Sequence, residues 1–281
     1  MAQIERDVAR CTWHLLMGSQ RSRRAQYHQK KRRKISTLLK KKQRRLANLI
    51  DVTLVESYEL APNLKNRLRY YQGYHDVACI FLHAMGGGTT KPTKKKNTST
   101  TVDDRMGLEL PARVLCQVSQ SHFRDNMRPN FSSLQTALKV SLFPLLYKLD
   151  QTVHDDHLKD CDMEPFFCLS WVLTWFAHDV RDTKVVKRLF DAFLVSHPLF
   201  PVYVSLAMML HPMNRNLLLT TDCDFATLHQ CLAMLPRNLC RVGFKQRWDG
   251  EGFEDDEMSG LMEKTCLLAP AAFHVRHTQP N

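Results

Sequence analysis

The sequence predicts an all-α protein. Only 10 of its 281 residues are glycine, Leu, Ala, Met, Lys and Gln are plentiful, and apolar residues recur at three-to-four spacing in segment after segment. A hydrophobic content of 44% over this length supports a buried core, as one large domain or two small ones.

Residues 1–17 read as the first helix, because Ile4, Val8, Cys11 and Leu15 share a face and Glu5 and Asp7 sit in its early part. A second helical stretch runs from Arg21 to about Leu60, with Ile35, Leu38, Leu39, Leu46, Leu49, Ile50 and Leu54 set among basic residues. "APNLKNRL" interrupts it, and a third helix runs through "GYHDVACIFLHAM" to Gly86-Gly87-Gly88. The stretch "TTKPTKKKNTSTTVDD" that follows has no apolar residue before Val102 and reads as a flexible loop over 86–105.

"FSSLQTALKVSLFPLLYKL" carries Phe131, Leu134, Leu138, Leu142, Leu145 and Leu149 on one stripe, an amphipathic helix bent near Pro144. "MEPFFCLSWVLTWFAHDV" is apolar on nearly every side, which places it centrally in the core. Helices follow in "TKVVKRLFDAFLVSH" and "PVYVSLAMMLH", separated at His197-Pro198, and "DCDFATLHQCLAML" opens on acids suited to capping. The helical pattern fades after Pro236, and residues 241–281 form an irregular, partly acidic tail around "GEGFEDDEMSG".

Charge is local. Of the 40 Lys and Arg, 13 lie between Arg21 and Arg45 with no acid among them, so 27 bases face 28 acids over the rest of the chain. Three readings fit that segment: a solvated helix face, a patch for an anionic membrane or an acidic GTPase, or a nucleic-acid signal in "KKRRK" and "KKKQRR". Its interleaved Leu and Ile favour a helix packed on one side, and membrane or partner attraction over nucleic acid. The nine cysteines are scattered, odd in number and without a CxxC pair, which predicts free thiols in a reducing compartment. "MAQIERDVARC" has no apolar signal region, which places the start of the chain in the cytosol. The most apolar run, Phe193 to Leu210, is broken by His197 and two prolines, so a buried helix pair is expected there rather than a membrane span.

Two short stretches carry candidate chemistry. In "IERDVAR", Asp7 and Arg10 stand three apart on one helix face and can pair, although spacing alone fits an ordinary surface ion pair. In "YYQGYHD", Tyr71, Gln72, Gly73, His75 and Asp76 fit either a presented side chain or a helix start packed by aromatics, with Gly73 permitting the turn and Asp76 in the first helical turn. Elsewhere "HDDHLKDCD", His154 to Asp162, has metal-like composition but no ligand spacing and reads as an exposed polar loop. "GGGTTK" lacks the spacing of a phosphate loop, and neither GxSxG nor HExxH occurs.

Together the two stretches resemble the TBC domain family of Rab GTPase-activating proteins: "IERDVAR" matches its IxxDxxR motif and "YYQG" its YxQG motif. "RLRYYQGYHDV", "SHFRDNM", "LSWVLTWFAHDV", "RLFDAFLVSHPLFPVYVSLAMMLH" and "DCDFATLHQCLAMLP" resemble, in order, the membrane-anchored branch that acts on Rabs of the early secretory pathway. The resemblance covers residues 3 to about 240 and implies a TBC domain over 1–240, with the basic segment 21–45 and the loop 86–105 as departures from its pattern. It further implies helices ahead of the arginine motif and an anchor after the domain, neither of which lies in this sequence.

The resemblance implies a GTPase activator, not itself an enzyme, that meets a Rab in its GTP form at the cytosolic face of the ER or early Golgi. It assigns Arg10 and Gln72 as catalytic fingers, with Asp7 holding the guanidinium, Tyr71 and Gly73 shaping the turn, and Asp76 supporting it. The resemblance implies no cofactor for the chain, with GTP and magnesium carried by the partner. Trp171 and Trp175 are implied to be structural. Alternatives are a Rab-binding scaffold with weak catalysis and a basic nucleic-acid-binding helical protein.

Overall fold

The computed structural model describes residues 2–16, 29–60, 67–85 and 107–242. The expected loop 86–105, the tail from 243 onward and the first part of the basic segment, residues 21–28, lie outside the described residues. The chain is all-α, and it divides into two compact units, Met1–Asn130 and Phe131–Asn281.

In the first unit, α1 (Ala2–Leu16) and α2 (Gln29–Leu60) are long helices, and α2 packs against α1, α3 (Tyr74–Ala84) and α4 (Glu109–Ser121). The reason lies in the second half of α2, where Leu46, Leu49, Ile50, Thr53, Leu54 and Ser57 form a buried stripe. Each fully buried Leu or Ile of that stripe contributes about 1.5–3 kcal/mol over an exposed one. Thr53 and Ser57 enter the core by returning their hydroxyls to the Leu49 and Leu54 carbonyls, at 2.8 and 2.6 Å. On the other side Lys40, Lys41, Lys42 and Arg44 are exposed, so the basic segment is there a helix packed on one face.

The patterning above does not mark α4. Pro111 stands in its first turn, where a backbone donor is not needed, and Ala112, Leu115, Cys116 and Val118 are buried behind it. Burial, helped by Glu56, pushes the Cys116 thiol up to about 11.

In the second unit, α5 (Ser132–Leu149) buries Leu134, Leu138, Leu142, Leu145 and Leu146 and includes Pro144. The segment expected as a polar loop at His154–Asp162 is instead a π-helical turn, Val153–Lys159, that buries Val153 and Leu158. These two apolar residues, five apart, are what draw the polar stretch onto the core. No group of three or more metal-binding side chains occurs among the described residues.

The apolar stretch after it is central, as expected, but not one helix. A 3-10 turn, Pro165–Cys168, leads into α6 (Leu169–Leu173), and the chain then turns at Trp175 and Phe176, whose φ angles of 49° and 64° are left-handed. Such a conformation costs a non-glycine residue on the order of 1–3 kcal/mol. Packing offsets it: both rings are buried, Trp175 lies edge-on to Phe190 and Phe193 at 5.2 and 5.3 Å, and Phe176 stacks on Trp171 at 6.1 Å.

The remaining helices are α7 (Thr183–Leu194), α8 (Phe200–Leu210), α9 (Pro212–Leu219) and α10 (Phe225–Val242). From Pro201 to Leu210 every residue of α8 is buried, which accounts for its apolar run, and no described helix is long and apolar enough to cross a membrane. Asp224 caps α10 by accepting from the Thr227 amide at 3.0 Å, and the helix continues beyond Pro236 to Val242, further than the sequence pattern indicates. The expectation of free cysteines fails at one pair. Cys161, after the π-helical turn, and Cys223, before α10, have Cα atoms 5.6 Å apart and form a disulfide that their separation of 62 residues conceals. Cys79, Cys116, Cys168 and Cys231 are free thiols.

Candidate functional site

The site lies in the first unit, where the start of α3 meets α1. Residues 67–71 are not helical, and the Arg69 amide donates to the Met127 carbonyl at 2.9 Å, which fixes the approach to the turn. Tyr71 is buried against Tyr74, with ring centroids 5.6 Å apart. Burial foremost, then Tyr74, pushes the Tyr71 hydroxyl well above the ordinary tyrosine range, while a hydrogen bond with Asn126 opposes the shift. Tyr74 is also buried and meets Ser119 Oγ at 2.7 Å, so α3 begins on a fully engaged aromatic pair.

The turn itself depends on Gly73. Its φ of 110° and ψ of −24° lie in the left-handed region, which glycine enters without steric cost. Amides of Tyr74 and Asp76 close the turn on the carbonyls of Tyr71 and Gly73 at 3.1 and 3.0 Å. Gln72 is therefore exposed between two buried neighbours. Gly73→Ala is expected to destabilise the first unit by about 1–2 kcal/mol, the cost of a Cβ in a left-handed conformation. A thermal melt checks the loss, and an unchanged midpoint would show that the turn relaxes.

On α1, Ile4 and Val8 anchor the helix in the core and Arg10 is exposed. Asp7, one turn before Arg10, is buried: both its oxygens accept from Gln3 Nε2 at 3.0 Å, and Oδ2 accepts from the Tyr70 hydroxyl at 2.9 Å. Among the described residues no ion pair joins Asp7 to Arg10. The carboxylate is thus committed to Gln3 and Tyr70 rather than to the guanidinium three residues on.

Tyr70 continues the network, because its hydroxyl also stands 3.0 Å from Nδ1 of His75. That nitrogen faces the Gly73 amide at 3.3 Å, and Nε2 lies 3.6 Å from Asp76 Oδ2. His75 and Asp76 are both buried. A chain of polar groups therefore runs Gln3, Asp7, Tyr70, His75, Asp76, joining the helix that carries Arg10 to the turn that carries Gln72.

Of the residues singled out from sequence, Asp7, Tyr71, Gly73, His75 and Asp76 thus lie around this junction, and Arg10 and Gln72 are the two exposed members. Tyr70 is the participant that the sequence did not single out, and His75 stood in the candidate stretch without a role of its own. A signal existed in the doubled tyrosine, since the core needs one aromatic face and the second is free to offer its hydroxyl. Chemically Arg10 offers a cation and Gln72 a carboxamide, on segments that the Asp7–Tyr70 hydrogen bond joins.

Residues 6–219 match the family described as Rab-GTPase-TBC domain. Among curated proteins, TBC1 domain family member 20 of Mus musculus is 31% identical over 191 residues, 68% of this chain and 40% of its own length. GTPase-activating protein gyp10 of Schizosaccharomyces pombe is 32% identical over 203 residues, 72% of this chain and 46% of its own. GTPase-activating protein GYP8 of Saccharomyces cerevisiae is 25% identical over 131 residues, 45% of this chain and 26% of its own. The chain therefore spans less than half the length of these relatives.

Proposed function

The chain belongs to the Rab-GTPase-TBC domain family, and from that premise we propose that it accelerates GTP hydrolysis by a Rab small GTPase through Arg10 and Gln72. The observation that carries this reading is the Tyr70 to Asp7 hydrogen bond of 2.9 Å, which ties the two exposed side chains' backbones together. Hydrolysis by a small GTPase is slow because charge on the phosphoryl oxygens is incompletely neutralised and the attacking water is poorly held. Arg10 supplies the charge through a planar, permanently protonated guanidinium, and Gln72 orients the water by donating and accepting at once. The nucleotide and its magnesium arrive with the GTP-bound partner, so the chain acts as an activator in trans with no cofactor of its own.

The relatives named above are two GTPase-activating proteins and a TBC1 domain family member, which supports the same class of partner here. The sequence resemblance directs the search to Rabs of ER-to-Golgi vesicle traffic, on the cytosolic face of those membranes. Single-turnover GTP hydrolysis, measured over a panel of GTP-loaded Rabs with and without this chain, tests the proposal. Stimulation of at least one early-secretory Rab is expected; binding without stimulation across the panel would favour a scaffold.

Recruitment follows from the exposed basic face of α2. Lys40, Lys41 and Lys42 project from the helix whose other face is core. A basic side chain near an anionic bilayer contributes about 1 kcal/mol, so Lys40→Gln, Lys41→Gln and Lys42→Gln together are expected to weaken binding to phosphatidylserine vesicles by about tenfold or more. Vesicle sedimentation at two salt concentrations checks this, and equal retention of both proteins would remove the membrane from the reading.

A further inference from the structure

We propose that His75 is a positioning residue for Gln72: its Nδ1 lone pair holds the Gly73 amide and with it the backbone from which the glutamine departs. This rests on the GTPase-activating reading and adds to it a residue that does not touch substrate.

The Gly73 contact favours one tautomer of the imidazole. Gly73 N–H points at Nδ1 at 3.3 Å, and an N–H can only donate, so Nδ1 must present its lone pair. The ring proton then resides on Nε2, the nitrogen that lies 3.6 Å from the Asp76 carboxylate, where an N–H is favoured electrostatically. Tyr70 carries one hydroxyl proton and stands 2.9 Å from Asp7 Oδ2 and 3.0 Å from Nδ1. That proton goes to Asp7 Oδ2, which leaves the Gly73 N–H as the donor at Nδ1.

Gly73 directly follows Gln72, and its left-handed backbone sets the direction of the Gln72 peptide. A group that holds the Gly73 amide therefore holds the exposed carboxamide's point of departure. Tyr71, the neighbour on the other side of Gln72, is buried. With both neighbours fixed, Gln72 loses little entropy when it orders a water in the partner's site. His75 itself is buried as the second residue of α3, and it reaches Gln72 through the Gly73 backbone.

Asparagine places its amide oxygen where histidine has Nδ1, whereas glutamine reaches the place of Nε2. The test compares His75→Asn, His75→Gln and His75→Leu in the whole chain by two measurements. The first is amide hydrogen exchange of Gly73 by NMR, with the 15N shifts of His75 reporting its tautomer. Protection of Gly73 is expected in the unsubstituted protein and in His75→Asn, with loss of protection in His75→Gln and His75→Leu. The second is multiple-turnover hydrolysis on a stimulated Rab. His75→Asn is expected to keep kcat within a few-fold, and the other two to lose about 10- to 100-fold in kcat with KM unchanged, as misplacement of a catalytic group does.

Equal kcat in all three variants would overturn the proposal, as would a proton on Nδ1 in the unsubstituted protein. A fall in kcat that tracks lowered melting temperature, with His75→Asn no better than His75→Leu, would also overturn it and leave His75 a core residue. Absence of stimulation by the unsubstituted chain on every Rab would instead sink the GTPase-activating reading. The Gly73 exchange pattern would still decide whether His75 holds the turn.

Discussion

Arg10→Ala is expected to remove about 10³-fold or more of the stimulated hydrolysis rate, the range in which an arginine finger contributes. Arg10 is exposed near the middle of α1, so truncating it takes away no core contact and the melting temperature should stay where it is. Arg10→Lys should recover only a small part of the rate, because an ammonium is a point charge and cannot bridge two phosphate oxygens in a plane. The measurement is single-turnover phosphate release at saturating activator, beside binding to the GTP-form Rab. A rate within a few-fold of the unsubstituted protein would remove Arg10 from the mechanism. Loss of rate with binding retained would place its contribution in the transition state, where a finger acts.

Gln72→Ala is expected to cost about 10²- to 10³-fold, the usual loss for one preorganised group that acts on the reacting atoms. Its side chain is exposed between buried Tyr71 and buried Gly73, so the change should leave the turn and the fold in place. The carboxamide matters because it donates and accepts together, and Gln72→Glu, which only accepts when ionised, should be impaired like alanine. A Rab whose own water-orienting glutamine has been replaced should remain stimulated if Gln72 takes over that role, as proposed. Failure to stimulate that Rab, with the natural Rab responding normally, would remove the water-handling assignment while leaving Arg10 in place.

The two variants should not add as independent sites do. Arg10 and Gln72 sit on segments joined through Asp7 and Tyr70, and groups that act as a unit show strong non-additivity when removed together.

The elements were legible wherever one face of a helix is apolar. The stripes on α1, α2, α5, α7 and α10 stand out because 3.6-residue periodicity needs only local sequence. α4 was not marked although Leu108, Ala112, Leu115 and Cys116 recur at helical spacing, because the stripe is short and is continued by the buried but polar Ser119. Tertiary packing likewise decides the polar stretch at His154, which enters the core on Val153, Leu158 and Cys161. At Trp175 and Phe176 continuous apolar sequence concealed a reversal of the chain, because the burial of the two rings outweighs the strain of their backbone.

The candidate site divides along the same physical line. Sequence by itself determined which chemistry the chain can offer, an arginine on one helix and a glutamine before a glycine, because those depend on residue type and short spacing. It also determined that Gly73 would be the turn, since no other residue takes a φ of 110° without strain. Only the tertiary structure decided how they are joined. Asp7 stands 63 residues from Tyr70 in the chain and 2.9 Å from it in the fold, so the sequence offers Arg10 as its partner while the fold gives that carboxylate to Tyr70. A hydrogen bond across such a separation forms because α1 and the start of α3 bury their apolar faces in the same core, and it is that packing which brings both exposed side chains to one support.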